Sequence, residues 1–264
     1  MISYTVLGDF AKGGFAELKL VQLEDRRRAI LRRPLGFSIF RFGEYKRFKK
    51  GIAIRSQLTP HKNLVGSIDY GYDFLHPWEI IEFVNGDNLK TFYNNRSSVL
   101  SSNREYILES CASGIAWVHS SGYMHLDVKP ENFICQSSDK LVVKLTDFDL
   151  ARPEDDNSPS TQMGTPNYMA PEQFRYKRSY KASDVFAFSI MAYMFFTGKM
   201  PFKGSTQKSA LKRQASENYE APMVKESVPN VPDKWNYAIA RGLAKKVENR
   251  FPDMGAMLDY IRSK

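Results

Sequence analysis

Apolar and polar positions alternate through residues 4–35, with a break at Gly13-Gly14. That pattern predicts strand, tight turn and strand, then a third strand over 28–33. Residues 38–58 instead carry Ile39, Phe42, Phe48 and Ile52 at helical intervals among many basic residues, which predicts an amphipathic helix. Two more strands follow near 66–72 and 78–84. From Leu100 the spacing turns helical, and 101–121 places Tyr106, Ile107, Cys111, Gly114, Ile115 and Val118 on one buried face. Later helices fit 181–197, 205–216, 233–244 and 253–262. A strand-rich first third and a helix-rich remainder predict two lobes of an α+β fold, with the boundary near Val84–Asn88.

The 264 residues suit one large domain or two lobes around a cleft, and 42% apolar residues are enough to bury a core. No internal repeat and no Gly/Ser/Pro linker divides the chain. The net charge of +9 allows nucleic acid, anionic lipid or an acidic partner. Clusters occur at Arg26-Arg27-Arg28, Arg32-Arg33 and Lys46-Arg47-Lys49-Lys50. The other basic residues are dispersed, so a solvated basic surface is the plainer reading, and no RNA- or DNA-binding motif is present. Cys111 and Cys135 lack the spacing of a metal site or disulfide framework, which points to a reducing compartment. No apolar run reaches membrane-spanning length, and Met-Ile-Ser-Tyr-Thr does not open a signal peptide. A cytoplasmic protein is expected; a secreted effector without a recognisable signal is the alternative.

Three segments carry chemistry. The first is His125-Leu126-Asp127-Val128-Lys129-Pro130-Glu131-Asn132. Asp147-Phe148-Asp149 follows, and then Gly164-Thr165-Pro166-Asn167-Tyr168-Met169-Ala170-Pro171-Glu172. Singly, each Asp or Asn reads as a turn cap. Together, in order and spacing, they resemble the protein kinase family, Ser/Thr branch, of the eukaryotic-like type. The resemblance covers essentially the whole chain. It implies a two-lobed kinase fold with a small antiparallel-sheet N-lobe bearing one long helix and a larger helical C-lobe. A single domain over 1–264 is expected, with N-lobe 1–84, hinge about 82–87 and C-lobe 88–264.

The resemblance also assigns roles. Asp127 would accept the proton of a protein hydroxyl, and Lys129 would neutralise the transferring phosphoryl group of ATP. Asn132 and Asp147 would hold Mg²⁺ or Mn²⁺. Lys129, and Thr165 in Gly-Thr-Pro, match the Ser/Thr branch. Glu172 and Arg250 would form a supporting ion pair, and Asp184 would hold the catalytic-loop backbone. Phe10, Gly13, Gly14 and Leu18 belong to the phosphate loop. Glu82 and Val84 belong to the adenine-binding hinge, with Ile81 guarding the back pocket. Leu18, Ala29 and Ile134 would sandwich the ring.

Several positions depart from the family pattern. Ala11 and Ala16 replace the outer glycines of the phosphate loop. Arg28-Ala29-Ile30-Leu31 places Leu31 where the nucleotide-binding lysine belongs, and counting back from Leu58 places Gly51 where its glutamate partner belongs. Arg32 would then face away from Leu31's side, unless a bulge or one-residue slip turned it inward. Leu126 replaces the arginine before the catalytic Asp, and Asp149 replaces a glycine. Arg32, Arg33, Lys12 and Lys19, in that order, are candidates for the substitute cation. The expected function is a Ser/Thr protein kinase with an atypical ATP site. A pseudokinase serving as a binding or allosteric module is the alternative.

Overall fold

The structure is a computed structural model that describes residues 2–12, 16–35, 42–74, 76–159 and 165–264. The N-terminal lobe is built from β1 (Tyr4–Lys12), β2 (Ala16–Leu23), β3 (Arg28–Pro34), β4 (Ser67–Asp73) and β5 (His76–Glu82). They form one antiparallel sheet in the order β1-β2-β3-β5-β4. The β2–β3 turn is tight. Asp25 accepts the Arg27 N–H at 3.0 Å, Leu23 donates to the Arg27 carbonyl at 2.9 Å, and Arg26 sits at φ +67°. This turn sets a register that runs without a bulge: Leu18 lies opposite Arg32 and Leu20 opposite Ile30.

β3 is buried on both faces, as a central strand of a covered sheet is. Ala29 and Leu31 pack with Val21, Leu23, Trp78 and Ile80 on one side. On the other, Ile30 packs with Leu18, Leu20, Val65 and Ile81, and strand alternation puts Arg32 on that side too. Helix α1 (Phe42–Gln57) lies against this second face, with Phe48 and Ile52 on Ala16 and Leu18. Residues 38–41 of the predicted helix lie outside the described residues.

The C-terminal lobe is mainly helical. It contains β6 (Asp87–Asn88), α2 (Leu89–Asn94), α3 (Ser98–Ser102), α4 (Arg104–Ser120) and β7 (Tyr123–Met124). There follow β8 (Phe133–Gln136), β9 (Val142–Leu145), β10 (Arg152–Pro153) and α5 (Pro171–Arg175). Last come α6 (Lys181–Thr197), α7 (Gln207–Ala215), α8 (Asp233–Gly242) and α9 (Met254–Arg262). α6 is apolar all round and buried from Ala182 to Phe196, so it forms the axis of the lobe. Gly198 at φ +69° ends it, in the left-handed conformation that glycine adopts without a Cβ penalty. The helix predicted over 101–121 is divided into α3 and α4. Tyr106, placed on its buried face by sequence, is 51% exposed and instead donates its hydroxyl to the Leu141 carbonyl at 3.2 Å. Gly114 was read correctly as a packing position. A Cβ there would sit 2.6 Å from the Asn63 carbonyl oxygen.

The β8–β9 hairpin positions the site. Phe133 pairs with Leu145, so the segment entering β8 and the segment leaving β9 emerge side by side. The Thr146 N–H donates to the Asn132 carbonyl at 2.9 Å and fastens them together. Among the described residues, no helix is long and apolar enough to cross a membrane.

Candidate active site

Asp184, in the first turn of α6, anchors the loop before β8. Its carboxylate accepts the N–H groups of His125 and Leu126, each at 2.7 Å, and lies 3.0 Å from His119 Nε2. Leu126 stands at φ +62° and Asp147 at φ +60°. Such left-handed positions cost roughly 1–2 kcal/mol each for residues with a Cβ, and they persist where surrounding bonds over-determine them. The loop then turns Asp127, Lys129 and Asn132 toward one another. Asp127 Oδ2 accepts from Lys129 Nζ at 2.7 Å and from Asn132 Nδ2 at 2.8 Å. Asn132 Nδ2 also donates to the Asp127 carbonyl at 2.8 Å, so the amide nitrogen is committed and the amide oxygen remains as a donor atom for a cation. Thr165 lines a crevice with Leu126, Asp127 and Tyr168.

Asp147 is about one-third exposed and accepts the Asp149 N–H at 3.3 Å. Burial works to raise its pKa, but Arg32 chiefly, with the Asp149 N–H and His125, holds it below the usual carboxylate range. Glu172 and Arg250 form the expected pair. Arg250 donates to Glu172 Oε1 at 2.9 Å and Oε2 at 2.8 Å, and both are buried.

The upper wall departs from expectation. Arg32 reaches inward from an unbulged strand, so Ala29 and Leu31 belong to the opposite face of the sheet. Ile30, not Ala29, shares the cleft-side face with Leu18. Leu31 is a core residue against Trp78 and Ile80 on the sheet face opposite Arg32. Arg32 Nη1 bonds Glu79, which faces it across β5, and Nη2 lies 3.1 Å from Asp149 Oδ2 and 3.7 Å from Asp147 Oδ1. Burial disfavours charge on Arg32, but Asp149, Glu79 and Asp147 together raise its pKa above the ordinary value. Asp149 is pushed up to about 6, by burial first and by the nearby carboxylates of Asp147 and Glu79. Arg55 of α1 completes the cluster, with Nη1 2.7 Å from Glu79 Oε2 and its guanidinium over the Phe148 ring.

Neither Arg33 nor Lys19 enters the cluster. Arg33 turns away to Asp73 at 2.7 Å and Tyr4, and Lys19 lies 3.9 Å from Asp9. Gly13 and Gly14 lie outside the described residues, as does the side chain of Lys12. Phe10 is about half exposed and meets Phe83 edge-on. Glu82 spends its carboxylate on Lys144 at 2.7 Å and on the Gly66 N–H, and the Val84 carbonyl accepts the Gly86 N–H. Ile134 is half-buried and alternates with Phe133 and Cys135, which point into the lower core. Sequence reasoning missed Glu79 and Arg55. The available signal was a carboxylate inside the otherwise apolar run Trp78-Glu79-Ile80-Ile81.

The chain matches the protein kinase domain over residues 13–253. A probable serine/threonine-protein kinase PknB of Lactococcus lactis is 29% identical over 81% of this chain and 34% of its own length. The serine/threonine-protein kinase PrkC of Bacillus subtilis is 29% identical over 94% of this chain and 38% of its own. PknL of Mycobacterium tuberculosis is 30% identical over 76% and 51%. The chain thus spans between a third and a half of the length of these relatives. With the domain match running through both lobes, the chain belongs to the protein kinase family.

Proposed function

We propose that the chain is an ATP-dependent Ser/Thr protein kinase domain with an atypical N-lobe grip on the nucleotide. The observation that carries this is the carboxylate of Asp127, held by Lys129 and Asn132 in a loop fixed by Asp184. In this reading Asp127 takes the proton of a Ser or Thr hydroxyl that enters past Thr165, and Lys129 neutralises the phosphoryl group in transit. Leu18 and Ile30 cover the adenine from above and Ile134 from below, with the backbone of Glu82 and Val84 at its edge. Arg32 faces the phosphates.

The donor set fits a hard cation. Asn132 and Asp147 offer oxygens in adjacent segments and would hold Mg²⁺ or Mn²⁺. Bound there, the ion neutralises charge on the β- and γ-phosphates. The +9 net charge suits an acidic stretch on the protein substrate or a partner.

One observation favours the second reading, a nucleotide-binding or allosteric module without turnover: both ends of the Arg32 guanidinium are already engaged by carboxylates. Phosphate transfer from labelled ATP separates the two. Asp127→Ala is expected to lower the rate by about 10²-fold or more, as loss of a positioned general base does, with an unchanged melting temperature. A variant that keeps most of the wild-type rate overturns the assignment. ATP should raise the melting temperature more with Mg²⁺ than with chelator.

A further inference from the structure

We propose that Asp149 is the positioning residue for Arg32, in place of the helix glutamate that the resemblance expects at Gly51, and that Gly51 leaves the space that admits it. Three observations converge. Asp149 Oδ2 lies 3.1 Å from Arg32 Nη2, and both side chains are about nineteen-twentieths buried. Gly51, at the helix position where a glutamate is expected by resemblance, faces this aspartate directly. A Cβ there would sit 2.8 Å from Asp149 Oδ1 and 3.0 Å from the carbonyl of Phe148. The space of a side chain at 51 is therefore filled by Asp149 and the backbone before it. Third, α1 offers its own charge with the opposite sign: Arg55 approaches Glu79, and Glu79 also holds Arg32.

The three departures from the family pattern are then one arrangement. A cation at 32, a glycine at 51 and a carboxylate at 149 move the anchoring anion from the helix to the loop that carries Asp147. A guanidinium suits this site, because its fork takes one carboxylate at each end. The consequence is specific. The orientation of Arg32 depends on the segment 147–149 and on β5, and α1 contributes to it a close approach at Gly51 rather than an anion. Lys50 of α1 ties the same segment further on, with Nζ 2.8 Å from Asp156.

The inference rests on the reading that Arg32 meets the nucleotide phosphates, and the test keeps the two apart. Affinity for a fluorescent ATP analogue with Mg²⁺ is measured by titration for the wild type, Arg32→Ala, Asp149→Asn, Asp149→Ala and the Arg32→Ala/Asp149→Ala double variant. Melting temperature and circular dichroism confirm folding. Because binding is read directly, the result does not require turnover. Each single variant should bind about 10-fold or more weakly, as the loss of a charge-assisted bond implies. The double variant should match Arg32→Ala within about 2-fold, because a residue that acts only through Arg32 has nothing left to position. Gly51→Ala, which displaces Asp149 sterically, should weaken binding too. Losses that multiply in the double variant overturn the proposal, as does wild-type affinity in both Asp149 variants. A higher half-saturating Mg²⁺ concentration in Asp149→Asn also overturns it, by making Asp149 a metal ligand. Wild-type affinity in Arg32→Ala sinks the phosphate-contact reading together with this one.

Discussion

In the lower lobe Asp184 holds two backbone N–H groups of the loop that carries Asp127, and Arg250 holds Glu172 at the start of α5. The Asp184 anchor and the Glu172–Arg250 pair form as the resemblance implied. In the upper lobe, where the resemblance expects a lysine and a helix glutamate, the structure pairs Arg32 with Glu79 and Asp149 and sets Gly51 of the helix against Asp149. The contrast reflects what each support must supply. A loop with residues at positive φ needs acceptors at fixed backbone positions, and a carboxylate moved by one residue would leave a buried N–H unpaired. A phosphate-facing cation needs only a defined direction. Any carboxylate that reaches it from the correct side provides that, whether it sits on a helix, a strand or a loop.

Three substitutions test this contrast. The largest stability effect is expected for Glu172→Ala, which leaves Arg250 buried without its carboxylate. Breaking a buried pair from one side costs about 3–5 kcal/mol, and urea unfolding should show it as a lower midpoint with an unchanged slope. A cost under about 1 kcal/mol, the range of exposed pairs, would mean that the pair is dispensable and the lower lobe less constrained than argued. Leu31→Ala comes next. It opens a cavity beside Trp78 and Ile80 on the far side of the sheet and should cost about 2–4 kcal/mol, while nucleotide affinity stays at the wild-type level. Weakened nucleotide binding in a folded Leu31→Ala would return that residue to the cleft and reverse the face assignment of β3. The smallest effect is expected for Arg33→Ala. Its partner Asp73 is on the exposed rim, so the cost should be about 0.5 kcal/mol or less, with phosphotransfer unaltered. A loss of phosphotransfer comparable to that of Arg32→Ala would show that both guanidiniums serve the site.

Much of the fold was legible in the sequence because its signals are local. The helix at 181–197 was readable, since a largely apolar run from Val185 to Phe196 stops at Gly198, a left-handed terminator. The meeting of Asp127, Lys129 and Asn132 was legible because the three share one short loop. Tyr106 was misplaced because helical periodicity marks a face without showing where a packed neighbour ends. Asp149 was visible as a departure, but only as a lost glycine and an added charge.

The sequence alone determined that the chain resembles the protein kinase family and that the third strand held arginines where a lysine was expected. Which arginine faces the cleft was decided by tertiary structure. A strand covered on one side announces its register through alternating apolar and polar residues. Ala29, Ile30, Leu31 and Arg32 are all buried, so β3 carries no such alternation, and a shift of one residue exchanges its faces. The β2–β3 turn and the pairing of Arg32 with Glu79 across β5 set that register. The partner of Arg32 was equally beyond the sequence, because Asp149 lies 117 residues away and meets it only when α1 presents a glycine at the point of closest approach.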